Sequence, residues 1–465
     1  MHEKMTTKKA VLLLALLMSL IFSGIFLLKL EPHIPLAAAV AVLAAAGLFL
    51  GIPREKMRQG MINGIMAGLM PIIILGLIGM IIGAWMISGT VPVLLSAGFE
   101  ILHPSWFLIS ALFISILVST FTGSAFTTVG TVGVALLGIA AVLGIEPALA
   151  AGAVISGAAF GDKMSPLSDT TNFASGIAGV DLNEHIRHML WTTLPALIIT
   201  AGFFAVIGDH SGAGAGLQNI KAASAALGEH FNLSYWALLS PFLVMVMAMR
   251  RVPSITVLLT GVGTALLTAF FLQQSSLTEA FAVLQHGYEA DTGNQIIDGI
   301  VNRGGLQSMM WPISLIMIAL AFGGMLQEMG VIEKAMAGAA SKMKRDGDLI
   351  TATAASSVGV NLVTGEQYLS ILLPGQTFQP LFAERGVAEK NLSRTLEDAG
   401  TLINPLIPWG VSGAFFASTL GVPVAAYAPF AVFLYLSPVF SIILGYSGFG
   451  LPKTSTRTKA VLENG

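Results

Sequence analysis

Long apolar runs alternate with short polar or basic breaks along nearly the whole chain. Runs at 10–30, 34–51, 61–87, 105–121, 185–208, 234–249, 252–272, 307–329 and 423–447 stand out. Each approaches the roughly 20 residues that a helix needs to cross about 30 Å of hydrocarbon. Two further stretches, 122–183 and 349–420, are apolar but interrupted by Gly, Pro, Ser, Thr, Asp and Asn. Such breaks are costly against lipid and are tolerated where they are buried in protein or line water. The stretches are also too long for simple loops in a compact bundle. The pattern predicts an all-α polytopic membrane protein with broken helices or re-entrant hairpins. At the start, Lys4, Lys8 and Lys9 precede an apolar run from Ala10 to Leu28. That run exceeds the ~7–15-residue core of a signal peptide and is followed by a second run, so a retained membrane helix is expected.

Composition agrees. Of 465 residues, 55% are apolar and 10% are charged, and mean hydropathy is +0.81. Soluble domains carry about 25% charged residues. This chain cannot clothe a globule of its size in polar groups, which excludes an ordinary soluble enzyme, a nucleic-acid binder and a disordered protein. Net charge is −2, so bulk electrostatics call for neither a basic nor an acidic partner. There is no cysteine, which removes disulfides, thiolate metal sites and cysteine nucleophiles. Glycine is abundant at 51 residues, as close helix packing in membranes allows.

The chain also repeats itself at a spacing of 241 or 242 residues. Pro71 answers Pro312, Gly83 answers Gly324 and Gly89 answers Gly330. Thr122-Gly123 answers Thr364-Gly365, Gly144 answers Gly386, Pro166 answers Pro408 and Gly179 answers Gly421. Basic residues give each half a direction, because short cytoplasmic loops gather Lys and Arg. Arg54, Lys56 and Arg58 precede the 61–87 run, whereas Lys334, Lys342, Lys344 and Arg345 follow its counterpart at 307–329. Arg187 begins the 185–208 run; Lys453, Arg457 and Lys459 follow the 423–447 run. Arg250 and Arg251, after 234–249, fall on the same side. Two inverted-topology repeats are therefore expected, with both termini cytoplasmic; two parallel copies are the competing arrangement. The divisions read as N-terminal membrane helices (1–60), a first transport repeat (61–208), a connecting segment with two membrane helices (209–300), a second transport repeat (301–447) and a cytoplasmic tail (448–465).

Chemistry concentrates at the breaks. Asp162, Lys163, Ser165, Ser168, Asp169, Thr170, Thr171 and Asn172 sit between apolar arms, with Gly161 and Pro166 as places for the helix to open. Ionisable groups within a membrane are functional candidates by default. An opened backbone adds free carbonyls to the carboxylates and hydroxyls, and a small hard cation takes oxygen ligands. A solvated loop is the other reading of this segment, and an Asp162–Lys163 ion pair a third. At the matching break of the second half, Asn404 stands where Asp162 stands in the first, with Glu397 and Asp398 shortly before it. A second related pair is Thr122-Gly123-Ser124 and Thr364-Gly365-Glu366. Thr122 and Thr364 are candidate ligands, although hydroxyls in membrane helices often serve only as interhelical hydrogen bonders. His185 and His188 flank Arg187 and read as interfacial anchors, with a pH-sensing role as the alternative.

These strings carry a family resemblance. GDKMSPLSDTTN at 161–172, TGEQY at 364–368 and NPLIPWG at 404–410 resemble the NhaC-type Na+/H+ antiporters over about 35–447. The resemblance implies a bacterial inner-membrane secondary exchanger with inverted repeats and a transport domain moving against a scaffold. It also implies Na+ and H+ as cargo, no cofactor, no nucleic acid, the lipid bilayer as surroundings, and leaves room for a homodimer. Asp162, Asp169, Ser165, Ser168, Thr170, Asn172, Asn404 and Glu366 are then the ion-binding and coupling candidates, with Na+ at Asp162 and Asp169. Lys163, Thr122, Ser124, Thr364 and Asp398 are the supporting ones. Competition of Na+ and H+ for one carboxylate gives exchange without a separate proton channel.

Relatives of the same family exchange malate against lactate, which is the alternative function. An organic anion needs a cationic partner or helix N-termini in its site. Lys163 is the one clear mid-membrane cation and Arg394 a less certain one, so a bare cation is favoured. An ion channel rests only on Thr128-Val-Gly130 and Thr131-Val-Gly133, in one half. An intramembrane aspartyl protease needs two carboxylates sharing a proton, and Asp162 and Asp169 lie on one segment. No P-loop, HExxH or GxSxG motif occurs, so enzyme chemistry has no support.

Overall fold

The structure, a computed structural model, describes residues 5–208, 213–340 and 343–453. Lys4, Lys342, Arg457 and Lys459 of the charge pattern, and most of the expected tail, lie outside the described residues. Regular structure among these is helical throughout, apart from one isolated bridge between Val387 and Lys453. This follows from the solvent: in hydrocarbon each peptide group must find its partner within its own segment.

The chain opens with α1 (Thr7–Phe22), α2 (His33–Phe49), α3 (Arg54–Ala67), α4 (Leu69–Ile87) and α5 (Thr90–Ile101). Next come α6 (Phe107–Thr122), α7 (Ala125–Thr128), which runs on through Val129–Gly133 into α8 (Val134–Val142), α9 (Pro147–Met164), α10 (Asp169–Ala178) and α11 (Leu182–Gly208). The connecting segment holds α12 (Ala213–His230), α13 (Leu239–Met249), α14 (Ser254–Leu272), α15 (Leu277–His286) and α16 (Gln295–Val301). The second half holds α17 (Met310–Glu328), α18 (Val331–Ala340), α19 (Asp346–Thr364), α20 (Gln367–Glu384), α21 (Glu389–Gly400), α22 (Val411–Leu420), α23 (Val424–Tyr427) and α24 (Val432–Ser447).

Seven of the described helical stretches are long and apolar enough to cross a membrane, or nine if each of two bent pairs counts as one span. The nine expected runs map onto these with four differences. The 61–87 run is split at Gly68, because Pro71 has no N–H to give and its ring crowds the preceding turn. The 234–249 run is half of a pair with 219–230, bent by 92°. The 423–447 run is broken between Pro429 and Val432, and 34–51 forms only the 17-residue α2. Conversely, Ala125–Val142 is a spanning stretch inside a region expected to be broken throughout.

The duplication is visible in the backbone. Four pairs of glycines at the repeat spacing end or begin equivalent helices in the left-handed region: Gly89 and Gly330, Gly123 and Gly365, Gly144 and Gly386, Gly179 and Gly421. The opposed direction of the halves shows in the packing of α3–α4 on α17. A Cβ on Gly60 would meet Glu328 and Met325, one on Gly64 would meet Leu320, and one on Gly79 would meet Met309 and Gly305. Partner numbers fall as chain numbers rise, so α4 and its repeat mate α17 run antiparallel. Within a half, α6 and α9 run parallel: Gly157 lies against Leu112, Gly161 against Ile116, and Ser165 against Thr120. Glycine at these crossings lets two backbones approach where dispersion and packing, not the hydrophobic effect, hold helices together.

Candidate functional site

Four interruptions converge in two related pairs. In the first half α6 ends at Gly123, whose N–H bonds the Ser119 carbonyl at 2.8 Å. Ser124 then caps the next helix by accepting from the Thr127 N–H at 3.2 Å. In the second half Gly365 bonds the Asn361 carbonyl at 2.7 Å, and Glu366 caps α20 by accepting from the Leu369 N–H at 2.8 Å. Gly123 abuts Leu167 in the break between α9 and α10, and Gly365 abuts Trp409 in the break between α21 and α22. Leu167 and Trp409 are themselves repeat mates. Each turn is glycine because φ is +66° at Gly123 and +68° at Gly365, where a side chain is strained, and because a neighbouring backbone closes on it.

The first break opens as its residue types require. The Ser165 hydroxyl donates to the Thr120 carbonyl at 2.7 Å and accepts from the Leu167 N–H at 3.2 Å. Ser168 caps α10, accepting from the Thr171 N–H. The second break is held by amides instead. Asn404 donates to Asn361 at 2.7 Å and to the Gly365 carbonyl at 2.9 Å, and accepts from the Ser412 N–H at 2.7 Å. The Asn361 amide in turn bonds the Gly400 carbonyl, as the Ser119 hydroxyl bonds the Ala158 carbonyl in the other half.

The acidic groups of the two halves meet beside the first break. The half-buried Asp162 carboxylate faces the Ser168 side chain and the Ala125 backbone. Glu397, fully buried on α21, accepts from Thr170 of α10 at 3.2 Å through Oε1, and its Oε2 has no partner. Asp162, Glu397 and Lys163 lie within electrostatic range of one another. Lys163 is not paired with its neighbour Asp162, since adjacent helical residues point to different sides. It pairs with Asp398 across the halves, and Ser437 (2.6 Å) and Thr192 (3.1 Å) donate to the same Asp398 oxygen.

Other expected residues lie further out. Asp169 occupies the exposed first turn of α10, and Asn172 is exposed, with its amide on the Pro166 and Ser168 carbonyls. Thr364 donates back to the Val360 carbonyl, and Thr122 bonds only within its own turn and to Thr128. Glu366 is buried as a cap, and Tyr368 lies within electrostatic range of Asp162, Asp169, Glu366 and Glu397. His185 and His188 are not interfacial anchors. Both are buried, against Ser393 and Asn391 of α21. The duplication carries no signal for Glu397 as a ligand, since its repeat mate is Ile155; its signal in the sequence is its place beside Asp398 and shortly before Asn404. Among the described residues no three His, Asp or Glu side chains form a metal cage. The oxygens available to a cation here are those of Asp162, Glu397, Ser168 and Thr170.

Oppositely directed repeats whose broken helices bring acidic groups together define a secondary transporter fold. The chain belongs to the Na+/H+ antiporter family, whose profile matches residues 3–171 and 157–449. It is 56% identical to the Na+/H+ antiporter NhaC of Alkalihalophilus pseudofirmus, over 97% of this chain and 98% of that one. It is 50% identical to the Na+/H+ antiporter NhaC of Bacillus subtilis, over 96% and 99%. A malate-2H+/Na+-lactate antiporter of Bacillus subtilis is 32% identical over 95% of each chain.

Proposed function

We propose that this protein exchanges Na+ for H+ across the bacterial inner membrane by alternating access, with both termini in the cytoplasm. The observation that carries the reading is that Asp162 from one half and Glu397 from the other lie within electrostatic range, with Glu397 held through Oε1 by Thr170 and its Oε2 unpartnered. Na+ binds the ionised carboxylates with the Ser168 and Thr170 hydroxyls as neutral ligands. A proton on the same carboxylates displaces it. Because both halves supply ligands, a relative movement of the two opens and closes the site to each side in turn. Asp169, at the exposed start of α10, belongs to the approach and draws the cation toward Asp162. Asn404, Glu366, Ser165, Ser124, Thr122 and Thr364 shape the turns that hold the site in place.

The rival reading, an organic-acid exchanger, needs a cation free to receive a carboxylate. Lys163 is committed to Asp398 and Ser437, and Arg394 bonds the Gly450 carbonyl and lies within range of Asp398, not among the groups acting on Glu397, which favours the bare cation. Transport in proteoliposomes, comparing Na+, Li+, K+, malate and lactate, tests the choice. Proton movement driven by Na+ alone supports antiport. A strict requirement for malate or lactate overturns it.

A further inference from the structure

Nine buried side-chain polar atoms lack a hydrogen-bond partner among the described residues, and five of them belong to α11 and one turn of α21. They are Nε2 of His185, Nε and Nη2 of Arg394, Oε2 of Glu397 and Oδ2 of Asp398. His185, Arg394, Glu397 and Asp398 are each 0% exposed. Buried polar groups are normally satisfied, by protein or by ordered water with about three hydrogen bonds. This set mixes two guanidinium donors with carboxylate and imidazole acceptors on neighbouring helices, α11 and α21. Water, which both donates and accepts, is the ligand that suits such a mixed set.

The hydrogen bonds fix both histidine tautomers. The Ser393 hydroxyl donates to the Lys390 carbonyl, so it accepts from Nδ1–H of His185 at 2.8 Å. The lone pair of His185 Nε2 is thereby left facing the interior. The Asn391 amide donates to the carbonyls of Ala388 and Pro452, so its oxygen accepts from Nε2–H of His188 at 3.1 Å. Nδ1 of His188 is then an acceptor. His188 also lines a surface cavity of about 460 Å³ with Asp181, Glu184, Arg187 and Lys390. Electrostatic proximity links the steps inward: Lys390 and Arg394 to His188, His188 and Lys163 to His185, and Arg394 to Asp398.

The repeat offers an internal comparison. At the equivalent place in the other half Gly152 stands for Arg394, Phe430 for His188 and Ile155 for Glu397. There Phe430 seats on Gly152, so that a Cβ would meet the Phe430 Cβ at 2.6 Å. One half is closed by the Phe430 backbone and Cβ packed on Gly152 where the other carries the polar tract.

We infer that this tract is a hydrated proton route joining the Glu397 and Asp398 carboxylates to the surface cavity at His188, separate from the opening through which Na+ reaches Asp162. A proton leaving Glu397 passes to a water. That water gives a proton to Nε2 of His185, and the same Nε2 releases it to the next water toward Nδ1 of His188, while Nδ1–H of His185 stays on Ser393. One proton moves, and every bond is restored. Na+ cannot follow, because it would have to shed its water between the cations of Arg394 and Lys163. Lys163 and His188 act on His185, Arg394 and Lys390 act on His188, and Asp398 lies within range of Arg394 and Glu397.

The inference rests on the antiport reading, and two measurements separate them. In proteoliposomes, His185→Gln and His188→Gln are compared with the unmodified protein for Na+-driven proton movement and for 22Na+/Na+ exchange, which moves no net proton. Proton movement is expected to fall at least about tenfold, with 22Na+/Na+ exchange nearly unchanged. Parallel loss of both activities, or loss of neither, in both variants overturns the route. Because the chain has no cysteine, the unmodified protein is also a clean background for His188→Cys, Ser393→Cys and Phe430→Cys. A small, membrane-impermeant methanethiosulfonate applied to the face carrying Lys390 is expected to label the first two and spare the third. Equal protection of all three overturns the route. Labelling as expected in a protein that moves no Na+ overturns the antiport reading instead and leaves the hydrated tract standing.

Discussion

The Lys163 ammonium on α9 and the Asp398 carboxylate on α21 are paired across the two halves, with Lys163 1% and Asp398 0% exposed. Removing two charges from water costs several kcal/mol each, and the pair offsets this only while both members and their hydroxyl donors stay in place.

Asp398→Asn strands a buried ammonium. It is expected to lower stability by about 3–5 kcal/mol, whereas Lys163→Met combined with Asp398→Leu recovers most of that loss. Melting of the detergent-solubilised variants checks the order. A single variant as stable as the double one would show that the pair carries no such penalty.

Asp162→Asn and Glu397→Gln remove the charge that Na+ meets in each half. Each is expected to cut Na+-driven proton release at least about a hundredfold, since an uncharged ligand neither neutralises the ion nor carries the proton. Asp169→Asn, exposed at the start of α10, is expected to raise the half-saturating Na+ concentration with a smaller effect on maximal rate. Initial rates across a Na+ series in inverted vesicles separate the two patterns.

Gly161 lies against Ile116 and Ser119 of α6, where an added Cβ would stand 2.5 Å from the Ile116 carbonyl oxygen and 2.6 Å from the Ser119 Cβ. Gly161→Leu forces α6 and α9 apart and is expected to cost about 1–3 kcal/mol, read as a lower melting temperature. Gly176→Ala, where nothing lies within 4 Å, is the matched control and is expected to change little.

Asp298, in the polar segment before α17, accepts from the Thr292 hydroxyl at 2.7 Å and the Thr292 N–H at 2.8 Å. These bonds, the hydroxyl first, hold its carboxyl below the usual carboxylate range. A depressed acid contributes stability above its unfolded value of about 4, and this is lost as pH falls through the folded value. Amide exchange across 288–303 is therefore expected to be slow at pH 6, to quicken relative to neighbouring segments below about pH 4, and to be fast at both in Asp298→Asn.

Much of the architecture was readable in one dimension. Pro71 with Pro312 and Gly123 with Gly365 reveal a duplication because left-handed turns and helix starts admit few residue types. Arg54 and Lys56 against Lys334 and Lys344 reveal opposed directions because cations are held on one side of a membrane. The split at Gly68 was missed because hydropathy averages over a break that contains no polar side chain.

The site was legible only in part. Asp162 announced itself as a charge among apolar neighbours, but its partners did not. Glu397 and Asp398 are adjacent in sequence, and only the rotation of α21 sends Asp398 to Lys163 and Glu397 to Thr170. His185 and His188 had the look of surface residues because an adjacent Arg187 suggests water; the packing of α11 on α21 buries them.

The order of residues by itself determined the solvent, the helical class, the doubling of the chain and the polar breaks in its helices, since these depend on local apolarity and local backbone freedom. Tertiary structure alone decided which acid faces which cation and which hydroxyl. The contacts of Lys163 and Thr192 with Asp398 and of Thr170 with Glu397 span more than two hundred residues and are set by how helices cross, and no local preference encodes a crossing.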